Sequence, residues 1–286
     1  MVNAVGPAAD PAERKIMQAL GWNRPTAKHY ARCRAGEKAA DLLAGIVPAQ
    51  KVDLSNLVTI LNQFSLGACV LHSTAQIIHA AMVKAGLDPS TPFFSRLFVY
   101  FLARAEDGNT ATDSGTQNCT AIDAICRAGF CPETAWPYDI SQFAQMPPPE
   151  AWREAIDQRG KIDINYHRID QGVTGDALLQ VIYQALTAGY LVNFGTLVTD
   201  DFCSGNLGND PIKPPAPGQP IAGGHSMALC GYDLTVAKPY LRVVNSWGPD
   251  FGDGGFVNFD PSYLSWFETS DMWIVKTSPI FSGGAR

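Results

Sequence analysis

The stretch Gln63-Phe64-Ser65-Leu66-Gly67-Ala68-Cys69-Val70-Leu71-His72-Ser73-Thr74-Ala75-Gln76-Ile77-Ile78-His79-Ala80-Ala81-Met82-Val83-Lys84 organises the chain. From Ala68 onward its apolar residues Val70, Leu71, Ile77, Ile78, Ala81 and Met82 recur at helical spacing, with Thr74 the polar member of the stripe. The spacing predicts one helix over Ala68–Lys84, stopped by Gly86 and apolar on a wide face, hence central. Cys69 stands in its first turn, where the positive end of the helix dipole favours thiolate over thiol. Taken alone, such a cysteine reads equally well as a small buried hydrophobe.

Working outward, helical patterns cover Phe94–Ala105, Cys119–Arg127 (ended by Gly129), Ala151–Gln158 and Asp176–Thr187. After residue 160 strand-like runs dominate: Tyr190–Thr196, Ser226–Tyr232, Tyr240–Ser246, Gly255–Phe259 and Met272–Thr277. Helices first and strands second make an α+β chain of two lobes, helical over about 60–160 and β over about 161–280. The loop Phe202–Gly224 holds five prolines between Pro211 and Pro220, and a loop that long is expected to be functional or a lid. Residues 1–50 carry two short helical patterns. One starts at Asp10-Pro11 and runs to Leu20; the other spans Gly36–Ala44. They have too few apolar residues for a core of their own, so this segment is expected to pack on residues 51–286.

Two further positions stand out. His225 follows Gly223-Gly224 and opens an apolar strand, so its ring can project from a strand end into a cleft. Asn245-Ser246-Trp247-Gly248 ends another strand. An Asn there can accept an imidazole N–H and fix its tautomer, and Trp247 can shield that bond from water. Singly, each has a bland alternative: an edge histidine, and a turn anchored by a Trp. Jointly, Cys69, His225, Asn245 and Gln63 supply a nucleophile, a base, an orienting group and an oxyanion donor.

At these residues the chain resembles the papain family of cysteine peptidases. Gln63…Gly67-Ala68-Cys69 is similar to the family's Gln-Gly-x-x-Gly-Ser-Cys segment. Gly224-His225-Ser226…Gly231-Tyr232-Asp233 resembles its His strand. Asn245-Ser246-Trp247-Gly248…Phe251-Gly252-Asp253-Gly254-Gly255-Phe256 resembles its Asn strand and the turn beyond. The resemblance spans roughly Val52–Thr277, and its motifs occur in the family's order. It implies a helical lobe with a central helix facing an antiparallel β-barrel-like lobe, and a polypeptide substrate in the cleft between them. It implies attack by a Cys69 thiolate paired with a His225 imidazolium, with Asn245 holding the ring. The Gln63 amide and the Cys69 backbone N–H would stabilise the oxyanion, each such donor being worth about 3 kcal/mol. Asp113-Ser114-Gly115 stands at the substrate-binding glycine loop, so Ser114 and Gly115 are expected to meet substrate, Gly115 by pairing with its backbone. Asn118, Gly223, Gly224 and Trp247 are expected to line the cleft as well. Departures are Phe64 for a Gly, Val70 for an aromatic, Leu66 for a disulfide cysteine and Phe251 for a Trp. Residues 1–50 are too short for the long helical propeptide of plant and lysosomal members. They resemble the short N-terminal region that bacterial members retain, and are expected to act as a regulatory, prosegment-like segment in the cleft.

Composition excludes other classes. Of 286 residues, 46% are hydrophobic and 17% charged, which is enough for a sizeable core. The net charge of −6, with no Lys/Arg cluster, argues against a nucleic-acid surface. No apolar run reaches the length of a membrane span, and no signal peptide is visible at Met1–Asp10. The expectation is a cytoplasmic protein, or one secreted by a signal-independent route. Seven cysteines cannot all pair internally and are read as reduced, with Cys126/Cys131 the one pair considered. No CxxC or HxxxH spacing points to a metal, and no cofactor is expected. His72 lies on the helix of Cys69 and so cannot face its thiol across a cleft; His79, His29 and His167 read as structural. The competing functions are a papain-like effector or binding module with a blocked cleft, and a transferase or isopeptidase using the same thiol.

Overall fold

The computed structural model describes residues 20–33 and 39–279. The first expected helix, from Asp10, falls outside them, as does the start of the second. Short helices α1 (Ala27–Arg32) and α2 (Ala39–Leu42) lead into strand β1 (Lys51–Asp53). The helical lobe holds α3 (Cys69–Lys84), α4 (Arg96–Ala105), α5 (Asn118–Ala128) and α6 (Pro149–Arg159). The β lobe follows as β2 (Ile162–Arg168), α7 (Gly175–Thr187), β3 (Val192–Val198), α8 (Asp200–Ser204), β4 (Gly223–Asp233), β5 (Tyr240–Val244), β6 (Phe256–Phe259), α9 (Pro261–Leu264) and β7 (Ser270–Pro279).

Seven strands form one antiparallel sheet in the order β2-β7-β3-β4-β5-β6, with β1 added to β4. The eleven-residue β4 is its hub. Its first half pairs with β3, placing His225 opposite Thr196, and its second half pairs with β1 and β5. Helices α3–α6 build one apolar core with the facing side of the sheet, while α7, α9 and the other side of the sheet build a second.

Helix α3 lies between the lobes, and Cys69 to Met82 are all buried. That run contains five polar side chains, so each must find a partner. His72 Nδ1 meets the Ala68 carbonyl at 2.9 Å, and the Ser73 hydroxyl pairs with that of Ser226 at 2.7 Å. Thr74 accepts from Asn193 at 3.4 Å, Gln76 binds the Thr59 backbone and His79 meets the Thr91 carbonyl at 3.0 Å. These bonds fix the rotation of α3 against β3 and β4, and so the direction in which Cys69 faces.

Strands β1 and β2 and helix α1 were not expected from the sequence. β2 does alternate, with Ile162 and Ile164 less exposed than Asp163 and Asn165, and its pairing with β7 covers one face. The proline-rich loop is tied down at Ile212, whose N–H donates to Asn258 at 2.8 Å, and at Ala222, whose N–H donates to Val198 at 2.8 Å. All seven cysteines are free thiols, Cys126 and Cys131 included. Among the described residues no helix is long and apolar enough to cross a membrane.

Candidate active site

The site forms where α3 abuts β4. Cys69 opens α3 with no side-chain cap, so its surroundings must serve the first-turn amides. Its thiol accepts from the backbone N–H of Ser226, the residue after His225. Both Cys69 and His225 are completely buried. His225 Nε2 lies 2.8 Å from Asn245 Oδ1, and the same oxygen accepts the Ser246 backbone N–H at 2.7 Å. An atom that accepts from a backbone N–H is the amide oxygen, so Nε2 carries the histidine proton there and Nδ1 is the basic nitrogen. Trp247 lies against the imidazole, with ring centres 4.6 Å apart at 32°, and is itself packed by Phe202 and Phe251. This wall keeps water from the His225–Asn245 bond.

Gln63 is locked to the Asn strand. Its N–H donates to the Ser246 carbonyl at 2.8 Å, and its Oε1 accepts the Ser246 hydroxyl at 2.6 Å. That orientation turns Nε2 toward the loop before Cys69, where one of its hydrogens goes to the Leu66 carbonyl at 2.9 Å. Phe64, standing where a glycine was expected, takes φ +53° and leaves its ring about half exposed. The loop thus keeps the left-handed turn and bears its strain. A residue not singled out from the sequence holds this loop. Asp113 accepts the Gly67 N–H at 2.9 Å on one oxygen and the Tyr100 hydroxyl at 2.5 Å on the other.

Residues 20–23 pack against this site. The Thr116 N–H donates to the Gly21 carbonyl at 2.8 Å, and the Asn23 N–H donates to the Thr116 carbonyl at 2.9 Å. The Trp22 N–H donates to the Gly224 carbonyl at 3.2 Å, so residues 21–23 lie between the glycine loop and the His strand, parallel to Thr116. The Gly21 N–H reaches the Cys69 thiol. Bare backbone makes this seating possible: a Cβ on Gly21 would fall 1.8 Å from the Gly67 carbonyl oxygen, and one on Gly115 2.2 Å from that of Gly21. Gly223 faces Leu20, and the Asn23 side chain donates to the Ser114 carbonyl at 2.8 Å.

Gly115 and Asn118 are both engaged by the protein itself. The backbone ladder runs on Thr116 rather than Gly115, whose N–H is taken by the Tyr100 hydroxyl at 3.0 Å. Asn118 is fully buried. As the first residue of α5 it uses its side chain on Asp271 and Ser226, at 2.9 and 2.7 Å. Asp271 and Trp22 were also missed, and only the pairing of distant segments makes them visible.

Electrostatics follow from burial. Desolvation pushes the Cys69 thiol up from 9.0 to about 11, against the N–H donors of Ser226, Gly21 and Val70, which favour thiolate. The thiolate expected from the helix dipole is therefore disfavoured while the segment covers the site. His72 is held neutral: burial first, then the Arg96 guanidinium, lowers it to about 3. Its Nε2 accepts from Arg96 at 2.9 Å, and Arg96 also pairs with Glu133, so this histidine belongs to the helical core. Cys33 donates to the Cys119 carbonyl at 3.1 Å on α5, away from Cys69. Among the described residues no group of three or more His, Cys, Asp or Glu is placed to hold a metal.

Residues 49–275 match the model of the papain family cysteine proteases. This chain belongs to that family and is a cysteine peptidase. It is 31% identical over 248 residues to the peptidase C1-like protein L477 of Acanthamoeba polyphaga mimivirus, covering 84% of this chain and 78% of that one. Among solved structures it resembles xylellain, a cysteine protease from Xylella fastidiosa, with a TM-score of 0.72 and 24% identity over 91% of this chain and 96% of that one. It also resembles procathepsin L2 of Tenebrio molitor larval midgut, with a TM-score of 0.63 and 16% identity over 95% and 80%. At these identities the structural likeness concerns the fold: α+β, with a helical lobe and an antiparallel β lobe.

Proposed function

We propose that the protein is an endopeptidase working through Cys69, His225, Asn245 and Gln63, and that its N-terminal region holds it latent. The observation that carries this reading is the single contact network joining α3, β4 and the turn after β5. Ser226 N–H meets the Cys69 thiol, His225 Nε2 meets Asn245 Oδ1, and Ser246 fixes both Asn245 and Gln63.

With the cleft free, Cys69 passes its proton to His225 Nδ1, and Asn245 stabilises the imidazolium through Nε2–H. The thiolate attacks the peptide carbonyl. The developing oxyanion takes the Cys69 backbone N–H and a Gln63 Nε2 hydrogen, donors already oriented before reaction. The imidazolium protonates the leaving amine, and water returns through the same base to hydrolyse the thioester. The substrate backbone adds as a strand beside Thr116, where residues 21–23 now sit.

Latency follows from the same occupancy. Residues 20–23 pack over Cys69 and remove access to a thiol that burial holds up at about 11, against the Gly21 N–H. Residues 1–50 are thus a regulatory region on a catalytic unit of 51–286. A blocked cleft also suits a non-catalytic binding module, so the test must clear it. The full chain carrying Gly21→Ala, which cannot seat residue 21 under Gly67, is incubated with an unfolded protein and with a peptidyl epoxide. Cleavage and modification at Cys69, both lost in Cys69→Ala, are expected. A cleared cleft that labels but never cleaves assigns the protein to the binding class.

A further inference from the structure

Trp22 does more than pass through the cleft. Its side chain enters a slot and is 3% exposed. Two glycines make the slot flat. A Cβ on Gly195 would lie 1.9 Å from the indole Cε2 and 2.1 Å from Nε1, and one on Gly224 would lie 2.9 Å from Cε3. At the end of the slot the indole N–H donates to Asp271 Oδ2 at 3.2 Å.

Asp271 is built to be there. It is completely buried and adopts φ +59°, a conformation few non-glycine residues hold without support. Its Oδ2 also accepts the Asn118 N–H at 2.8 Å, and its Oδ1 accepts the Cys119 N–H at 3.2 Å and the Trp273 indole N–H at 2.7 Å. The carboxylate is therefore immobile with or without Trp22, and it presents a fixed acceptor at the bottom of a planar apolar slot. With residues 20–23 displaced, slot and acceptor open beside the Thr116 backbone, where substrate is proposed to bind.

We propose that this slot is a substrate subsite selecting an aromatic side chain that carries an N–H donor, tryptophan, and that Asp271 is the specificity-determining residue. Trp22 is then the chain's own copy of the preferred side chain. Phe fills the flat walls but leaves the buried carboxylate short of a donor. Leu does that and also mismatches the walls. The inference rests on the peptidase reading for its use, but not for its test.

Two measurements on the full chain check it. The first is the rate at which iodoacetamide labels Cys69, a report on how often the segment leaves. Trp22→Phe is expected to label about tenfold faster than wild type, the loss of one hydrogen bond to a charged group. A wild-type rate in Trp22→Phe overturns the proposal. The second is calorimetry on the chain bearing Gly21→Ala, Trp22→Ala and Cys69→Ala, titrated with short capped peptides holding Trp, Phe, Leu or Arg at one position. The Trp peptide is expected to bind about tenfold tighter than the Phe peptide. Adding Asp271→Asn should collapse that ratio. If that variant fails to fold, Gly195→Ala, which fills the slot, should weaken the Trp peptide most. Equal affinities, or a tighter Arg peptide, overturn the proposal. Absence of proteolysis with the affinity ranking intact would instead remove the endopeptidase reading and leave the slot standing.

Discussion

Gly21 lies under Thr116, its carbonyl accepting the Thr116 N–H at 2.8 Å while its own N–H reaches the Cys69 thiol. One residue therefore occupies the glycine loop's edge and covers Cys69. Gly21→Ala puts a methyl group 1.8 Å from the Gly67 carbonyl oxygen, a contact that backbone cannot absorb. Labelling of Cys69 by iodoacetamide is expected to rise at least about tenfold, since unseating costs no more than a local opening. An unchanged rate would show that residues 20–23 do not restrain the site.

The pH dependence of that labelling carries a second prediction. The folded thiol sits at about 11 against an ordinary 9.0, because the buried state resists the charge. Protonation therefore favours the closed form, fully so below pH 9, and the advantage is lost as pH rises toward 11. Wild-type labelling should keep climbing through this window. Gly21→Ala should level off at lower pH, as a thiol released from burial ionises earlier. Superimposable profiles would refute the link between coverage and thiol charge.

Asn245→Ala removes the acceptor that holds His225 in its tautomer. General acid–base catalysis contributes about 10²–10⁴-fold, so kcat in the cleared chain should fall by up to ~10²-fold with KM little moved. Binding lost with kcat intact would instead make Asn245 a cleft-shaping residue.

His72 predicts an acid-side loss of stability. Its proton affinity is depressed from 6.5 to about 3, so its contribution is present above pH 6.5 and is lost as pH falls toward 3. Each unit in that window costs about 1.4 kcal/mol per group. His72→Gln should flatten the urea midpoint against pH across this range, and parallel curves for the two proteins would exclude the histidine as the cause.

Phe64→Gly tests the strained turn. Relief of about 1–2 kcal/mol at φ +53° is offset by about 0.5–1 kcal/mol of added chain entropy, and the half-exposed ring gives up little packing. The denaturation midpoint should hold or rise slightly. A clear drop would mean that the ring, not the turn, matters at this position.

Much of this site was legible in the chain. The period of Val70 to Met82 marked α3; Cys69 stands at its start, Gln63 in the loop before it, His225 near the start of β4 and Asn245 just past β5. Local signals were weaker for β1, three residues long, and for β2, whose alternation matters only once β7 covers it. The expectation for Asn118 came from the resemblance. That residue's actual partners, Asp271 and Ser226, lie more than a hundred positions away.

The sequence by itself determined the α+β order, the central helix and the chemical identities of the four candidate catalytic groups, because periodicity and short motifs are local properties. Only the tertiary structure decided that Trp22 and Asp271 meet across 249 positions, that the ladder falls on Thr116, and that Cys69 is buried and its thiol raised. Those are properties of what surrounds a group, and burial and long-range pairing come into being only when distant segments pack.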